Sequence, residues 1–224
     1  MRPAPVGVVV PAAGLGTRLG PGVPKALRPL AGDPLLVHAV RRLRQCPSVG
    51  PLVVVAPATE VAVVTALLAA YDVLVVAGGA HRQDSVAAGL AALPPEVALV
   101  LVHDAARALV PVEVVEAVVA ALRAGAVAVV PVVAVADTVK RVDDSGLVVA
   151  TVDRADLRRV QTPQGFAREV LVAAHAAATG PATDDAGLVE ALGHPVLTVA
   201  GAEEAFKVTR PFDLLLAEAV LARG

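Results

Sequence analysis

The densest run of residues able to do chemistry is Pro11-Ala12-Ala13-Gly14-Leu15-Gly16-Thr17-Arg18-Leu19-Gly20, continuing to Pro24-Lys25. Ala12, Ala13, Gly14 and Gly16 are small enough for backbone amides to close on an anion and cradle a phosphate chain. Arg18 and Lys25 add two cations to the same loop. Two familiar phosphate motifs do not fit it. A dinucleotide fingerprint needs a third glycine where Leu19 stands, and the P-loop triplet Gly-Lys-Ser/Thr is absent. The nine residues from Gly16 to Lys25 are long for a tight pyrophosphate turn and suit a lid over a triphosphate.

Further candidates lie downstream. Asp104, in His103-Asp104-Ala105-Ala106-Arg107, falls just past an apolar strand, where it could serve a metal or a hydroxyl, or simply close a turn. His103 has no His or Cys at metal-ligand spacing and reads as structural. Asp184-Asp185 could hold Mg²⁺, yet Thr183-Asp184 also reads as a helix start, and Asp184 is assigned as the cap. Asp143-Asp144 reads as a solvated turn and Lys140 as a surface charge. Lys207 stands between a strand-like end and a helix. The chain has 16 Arg but only three Lys, at 25, 140 and 207. A Lys retained against that bias points to a place needing a compact ammonium and not a planar fork. There is no Gly-x-Ser-x-Gly and no evident catalytic Cys.

Short apolar runs alternate with amphipathic segments around these residues. Strands are expected at Val6–Val10, Leu52–Ala56, Val73–Ala77, Ala98–Val102 and Ala126–Val130. Helices are expected at Leu35–Arg44, Glu60–Ala70, Asp84–Leu93 and Val112–Arg123. Uninterrupted apolar strands in β-α alternation predict an α/β fold with a parallel sheet covered on both faces, ligands binding at the strand C-terminal edge. The rhythm breaks at 137–159. Thr138–Val142 and Leu147–Val152 flank the turn Asp143-Asp144-Ser145-Gly146, predicting an arm that projects from the domain. Helices follow at Arg168–Ala178, Asp184–Leu192 and Pro211–Arg223, with a strand at Val196–Val199. With no linker or repeat, residues 1–224 are expected to form one domain.

Composition excludes several classes. Of the 224 residues, 56% are hydrophobic, enough for a large core, and the net charge of -2 gives no nucleic-acid footprint. Mean hydropathy is +0.71, but Pro, Gly or a charge breaks each apolar run before the ~18 residues of a spanning helix. Pro11 likewise breaks the first run before it could act as a signal peptide. The single Cys46 allows no intrachain disulfide and fits a reducing, cytoplasmic setting.

The opening loop resembles the signature of sugar-activating nucleotidyltransferases, and other segments narrow the family. These are Gly78-Gly79-Ala80-His81-Arg82-Gln83-Asp84-Ser85-Val86, His103–Arg107, Asp137-Thr138-Val139-Lys140, Thr151-Val152-Asp153-Arg154, Thr162-Pro163-Gln164, Thr183-Asp184-Asp185-Ala186 and Phe206-Lys207-Val208-Thr209-Arg210-Pro211. In this order, from Val8 to about Leu216, they resemble the 2-C-methyl-D-erythritol 4-phosphate cytidylyltransferases of the non-mevalonate isoprenoid pathway. One departure is Ala108, where Pro is usual; it removes no functional group.

The resemblance implies a Rossmann-like, doubly wound, mainly parallel sheet of the nucleotide-diphospho-sugar transferase type, with a projecting β-arm. It implies that CMP passes from CTP to 2-C-methyl-D-erythritol 4-phosphate, releasing pyrophosphate, with Mg²⁺ as cofactor. Ala12, Ala13, Gly14, Gly16, Arg18 and Lys25 would hold the triphosphate, Gly79, Asp84 and Ser85 would surround the cytosine and its ribose, and Ala105 would also contact CTP. Asp104 would sit near the metal and both substrates. Arg107, Thr138, Thr162, Thr183 and Lys207 would contact the erythritol phosphate, and Arg154 would enter from the neighbouring subunit of a homodimer. Arg18, Lys25, Asp104 and Lys207 would carry the chemistry. The alternatives weighed are a ribitol 5-phosphate cytidylyltransferase and a nucleotide-binding regulator without turnover.

Overall fold

The computed structural model describes residues 4–14, 23–180 and 182–223. Positions 15–22 of the phosphate loop, with Gly16 and Arg18, lie outside the described residues. In chain order the elements begin with β1 (Val6–Pro11), the short pair β2 (Pro29–Leu30) and β3 (Asp33–Pro34), α1 (Leu35–Arg44), β4 (Val49–Ala56), α2 (Val61–Leu67) and β5 (Leu74–Ala77). They continue with α3 (Arg82–Ala92), β6 (Leu99–Val102), α4 (Val112–Arg123) and β7 (Ala128–Ala134). After the hairpin strands β8 (Val139–Val142) and β9 (Val148–Val152) come β10 (Arg158–Val160), β11 (Gln164–Ala167), α5 (Arg168–Ala177), α6 (Asp185–Ala191), β12 (Leu197–Ala200) and α7 (Pro211–Leu221).

The main sheet runs β10-β7-β11-β6-β1-β4-β5, with β12 also paired to β7. β1 pairs in parallel with β4 and β6, β4 with β5, and β12 with β7, whereas β10 and β11 run antiparallel. Alternation along β1 builds both faces of the core. Val8 and Val10 pack in the cluster that holds Leu36, Val40 and Leu43 of α1 and Val115 and Val118 of α4. Val9 points the other way, among Val86 and Leu90 of α3, Phe166, Leu171 of α5 and Val189 of α6. These side chains are essentially inaccessible, and each contributes roughly 1.5–3 kcal/mol through burial. A strand apolar on both sides and helices apolar on one therefore give the expected layered α/β fold.

The periodic elements match their expected spans to within a few residues, but the short pair β2–β3 and two strands of the main sheet, β10 and β11, were not expected. β11, Gln164-Gly165-Phe166-Ala167, lies between β6 and β7 and carries no apolar run. Gly165 leaves room for α4, since a Cβ there would sit 2.6 Å from Val118 Cγ1, while Phe166 fills the opposite face with no exposure. β10 is an arginine-bearing edge strand, a composition that blunts edge pairing. Its register places Arg158 and Arg159 opposite Ala134 and Val133. The segment 137–159 expected to project therefore does not stand apart along its whole length, since Arg158 and Arg159 pair in the main sheet. The hairpin β8–β9 forms a two-stranded sheet of its own. Asp143 Oδ1 accepts the Ser145 and Leu147 N–H groups, and Gly146 takes φ +85° in its turn. Among the described residues no helix is long and apolar enough to cross a membrane.

Gly89 lies inside α3, where alanine would normally favour the helix by about 1 kcal/mol. A Cβ at this position would overlap Val9 of β1 and lie 3.0 Å from Val55 Cγ2 of β4. Overpacking of that kind costs about 1–3 kcal/mol, so packing outweighs propensity. Gly89→Ala is expected to lower Tm by roughly 3–6 °C in scanning calorimetry; a rise would show that α3 can retreat from the sheet without loss.

Candidate active site

β1, β5 and β6 run parallel and end on one edge of the sheet, and the loops beyond them enclose a cleft of about 290 Å³. Ala12, Ala13 and Gly14 form one wall. Lys25 comes from the short 3₁₀ turn Lys25–Leu27, Gly79 from the β5–α3 connection, and Arg82 and Ser85 from the first turn of α3. Asp104, Ala105 and Ala106 follow β6, and Lys207 and Thr209 lie just before α7. Asp104 is the one acidic residue among the described lining residues. A second hollow of about 510 Å³ adjoins it, lined by Arg107, Arg159, Phe206 and Asp213 among others, and it shares Lys207 and Thr209 with the first.

Asp104 is held from both sides. Lys207 Nζ is 2.7 Å from Oδ2, and Arg82 Nη2 is 3.6 Å from Oδ1. Burial alone would raise the pKa of this carboxyl, but the Lys207 and Arg82 charges and the Lys207 hydrogen bond more than offset it, bringing it down to about 2. The backbone beneath Asp104 is fixed as well. Continuing the β11–β6 register, which places Gln164 opposite Val102, brings Thr162 beside Asp104. Thr162 Oγ1 accepts the Asp104 N–H at 3.0 Å and lies 3.2 Å from His103 Nδ1, while His103 Nε2 lies 3.3 Å from the Arg107 carbonyl. One assignment satisfies all three contacts: Nε2–H donates to Arg107 and Nδ1 accepts the Thr162 hydroxyl. His103 is fully buried, and burial pushes its pKa down to about 4, so the ring is neutral near pH 7. This is the structural role expected for it.

Arg107 ties the second hollow together. Its Nη1 donates to the Ala205 carbonyl at 2.8 Å and its Nη2 to the Val160 carbonyl at 3.1 Å. Burial lowers its pKa without removing its charge at neutral pH. The Val208 N–H donates to the Ala106 carbonyl at 2.9 Å, docking the Lys207 segment on the loop after β6.

Of the residues expected from the sequence, the cleft brings together Ala12, Ala13, Gly14, Lys25, Gly79, Ser85, Asp104, Ala105 and Lys207. Arg107 stands in the adjoining hollow. Asp84 does not line the cleft: its carboxylate accepts the His81 N–H at 2.9 Å and caps α3. Thr162 is buried, with its hydroxyl engaged by Asp104 and His103, and supports the site from below. Thr138, Arg154 and Thr183 are exposed and line neither space. Asp184 caps α6 by accepting the Gly187 N–H. Arg82 and Thr209 in the cleft and Arg159 in the second hollow were not singled out, although Arg82 lies inside the Gly78–Val86 segment. Among the described residues no three His, Cys, Asp or Glu side chains converge as a metal cage, so a cation held here would rest on Asp104 and on ligand oxygens.

The family profile for IspD, 2-C-methyl-D-erythritol 4-phosphate cytidylyltransferase, matches residues 6–223. A 2-C-methyl-D-erythritol 4-phosphate cytidylyltransferase from Streptomyces avermitilis is 56% identical over 99% of this chain and 95% of its own. The Frankia casuarinae protein of that name is 60% identical over 97% of this chain and 82% of its own. Among solved structures, the Thermus thermophilus enzyme of that name aligns with TM-score 0.80 at 38% identity, covering 98% of this chain and 100% of that one. The 4-diphosphocytidyl-2C-methyl-D-erythritol synthase of Anaerococcus prevotii aligns with TM-score 0.86 at 28% identity, covering 98% and 99%.

A carboxyl at about 2 in the folded chain, against its ordinary 3.8, stabilises the fold above the higher value. That stabilisation fades as pH falls through the lower one, and it amounts to about 2 kcal/mol. In metal-free urea titrations between pH 5 and pH 2, Asp104→Asn is expected to flatten the loss of unfolding free energy by about that amount. An unchanged slope would mean that Asp104 is not held by these cations.

Proposed function

The chain belongs to the 2-C-methyl-D-erythritol 4-phosphate cytidylyltransferase family, and on that premise we propose that it transfers CMP from CTP to 2-C-methyl-D-erythritol 4-phosphate, releasing pyrophosphate, for isoprenoid precursor synthesis. The observation that carries this reading is the pair of adjoining hollows that share Lys207 and Thr209. One is walled by small residues and backbone, as a nucleotide requires. The other carries Arg107 and Arg159 beside Glu203, Glu204 and Asp213, and the shared Lys207 ammonium is the charge a phosphorylated acceptor would meet there.

The attacking group is a phosphate monoester with a second pKa of ~6, already a dianion near neutral pH. No general base is needed. The barrier is the repulsion between that dianion and a triphosphate, so catalysis is positioning and charge neutralisation along an in-line path. Lys207, at the junction, neutralises the incoming phosphate and the oxygens of the α-phosphorus. Lys25, with Arg18 of the same loop, neutralises the departing pyrophosphate. Asp104 stays ionised at any working pH. A lone carboxylate without a protein-built cage suits Mg²⁺, which keeps waters and shares phosphate oxygens. Asp104 would hold that ion, whose chemistry when bound is to neutralise the triphosphate.

We also propose a cytoplasmic homodimer. Support comes from Val142, Leu147, Val148 and Val149, which leave the β8–β9 hairpin with an exposed apolar surface that a second copy would cover. Thr138 and Arg154 flank that hairpin, and in a dimer they would serve the neighbouring site. The single buried Cys46 suits a reducing compartment.

Pyrophosphate release from CTP should depend on 2-C-methyl-D-erythritol 4-phosphate and should fall steeply when ATP replaces CTP. Lys25→Ala is expected to lower kcat by about 10²–10³-fold with an unchanged circular dichroism spectrum. Near-normal turnover of that variant would remove Lys25 from the chemistry. Release without the acceptor would point to a hydrolase instead.

A further inference from the structure

The cleft wall behind Asp104 carries a second set of charges that the transfer chemistry above leaves unused. Arg82, the first residue of α3, places Nη1 2.8 Å from Asp185 Oδ2 and Nη2 3.6 Å from Asp104 Oδ1. The Asp185 side chain has no exposure, and its other oxygen lies 2.9 Å from His175 Nε2. The Asp185 contact is a close ion pair, whereas 3.6 Å to Asp104 is too long for a hydrogen bond. The guanidinium is held by charge between two carboxylates.

These two carboxylates differ in freedom. Asp185 is locked at the start of α6, where Gln164 accepts the Ala186 N–H at 3.1 Å and donates to Asp184 Oδ2 at 2.7 Å. Asp104 faces the cleft with a side chain 12% exposed, whereas that of its other partner, Lys207, is 42% exposed. A phosphate arriving at the junction competes with Asp104 for the Lys207 ammonium. Loss of that partner would leave Asp104 a buried anion, which is costly unless another cation remains. Arg82 remains beside it as a cation held by the fold, with the Arg107 charge further off and any Mg²⁺ that Asp104 would hold, and its anchor Asp185 is buried.

We propose that Arg82 is a positioning residue for the nucleotidyl transfer: braced on buried Asp185, its guanidinium holds the Asp104 carboxylate in the cleft while Lys207 passes from Asp104 to the reacting phosphates. The proposal rests on the transferase reading above and adds to it a residue that touches no reacting atom. Arginine is required because its planar fork presents separate nitrogens to two carboxylates, which a single ammonium cannot span.

Two variants test it. Arg82→Lys keeps the charge beside Asp185 and removes the fork. Arg82→Met/Asp185→Asn removes both charges together, so no uncompensated carboxylate stays buried. Folding is read from circular dichroism and the thermal midpoint, nucleotide affinity from calorimetry with magnesium and CTP, and turnover from pyrophosphate release at saturating substrates. The expected result is a Kd for CTP within about threefold of the parent and a kcat lower by roughly 30- to 100-fold in both variants, the scale of a misplaced reacting group. A loss carried by Kd with kcat retained would make Arg82 a nucleotide contact and overturn the positioning role. So would a kcat within threefold of the parent in either folded variant. Where the double variant does not fold, Arg82→Lys decides by the same two numbers. A parent protein that binds CTP but releases no pyrophosphate defeats the transferase reading itself, an outcome seen before either variant is measured.

Discussion

The site depends on a buried carboxylate surrounded by cations. Asp104 is nearly inaccessible, and the charges of Lys207 and Arg82, with the Lys207 hydrogen bond and the Arg107 charge, keep it ionised there. The same cations give the cleft a positive wall toward an anionic ligand. The arrangement is close to neutral before anything binds, so the polypeptide does not have to hold a cluster of like charges apart. On the proposed reading, phosphates entering the junction would exchange one anion for another at Lys207, an ammonium on a flexible stem suited to that exchange.

The scaffold beneath has little freedom. The antiparallel insertion of β11 beside β6 sets Thr162 under Asp104, and neutral His103 closes the contacts from Thr162 to the Arg107 carbonyl. Arg107 then fixes Ala205 and Val160. A single strand register therefore positions the carboxylate and the wall of the second hollow. The Rossmann-like order alone would not do this. It ends β1, β5 and β6 on one edge but leaves the loops beyond them unspecified.

Much of this was legible in the residue order. The apolar runs of β1, β4 and β6 and the 3.6-residue periodicity of α1 and α4 follow from burial on two faces and on one, so their spans emerge from side-chain pattern alone. The loop of small residues and the isolated lysines Lys25 and Lys207 pointed to the cleft because backbone approach and a compact ammonium have few substitutes there. β11 was not legible. Gln164 and Gly165 are set by α4 and by the start of α6, contacts distant in sequence that leave no local period. Arg82 was hidden for a related reason. Its partners Asp104 and Asp185 come from other elements, and one more arginine among many carries no mark of its own. The hydroxyl of Thr162 and the carboxylate of Asp84 look available in a one-dimensional reading, yet backbone groups brought in by folding already engage them.

The Val208–Ala106 backbone bond and the Lys207–Asp104 contact join a loop near the middle of the chain to a segment that leaves the ribosome more than a hundred residues later. Synthesis at ~5–20 residues per second separates the two by several seconds. During that interval the emerging sheet carries Asp104 without one of its two cations, and the second hollow lacks the Ala205 wall that Arg107 grips. The catalytic cleft is thus among the last parts of the molecule to be completed. A nascent chain lacks the Lys207 side of the cleft until the segment before α7 has emerged and docked on the loop after β6.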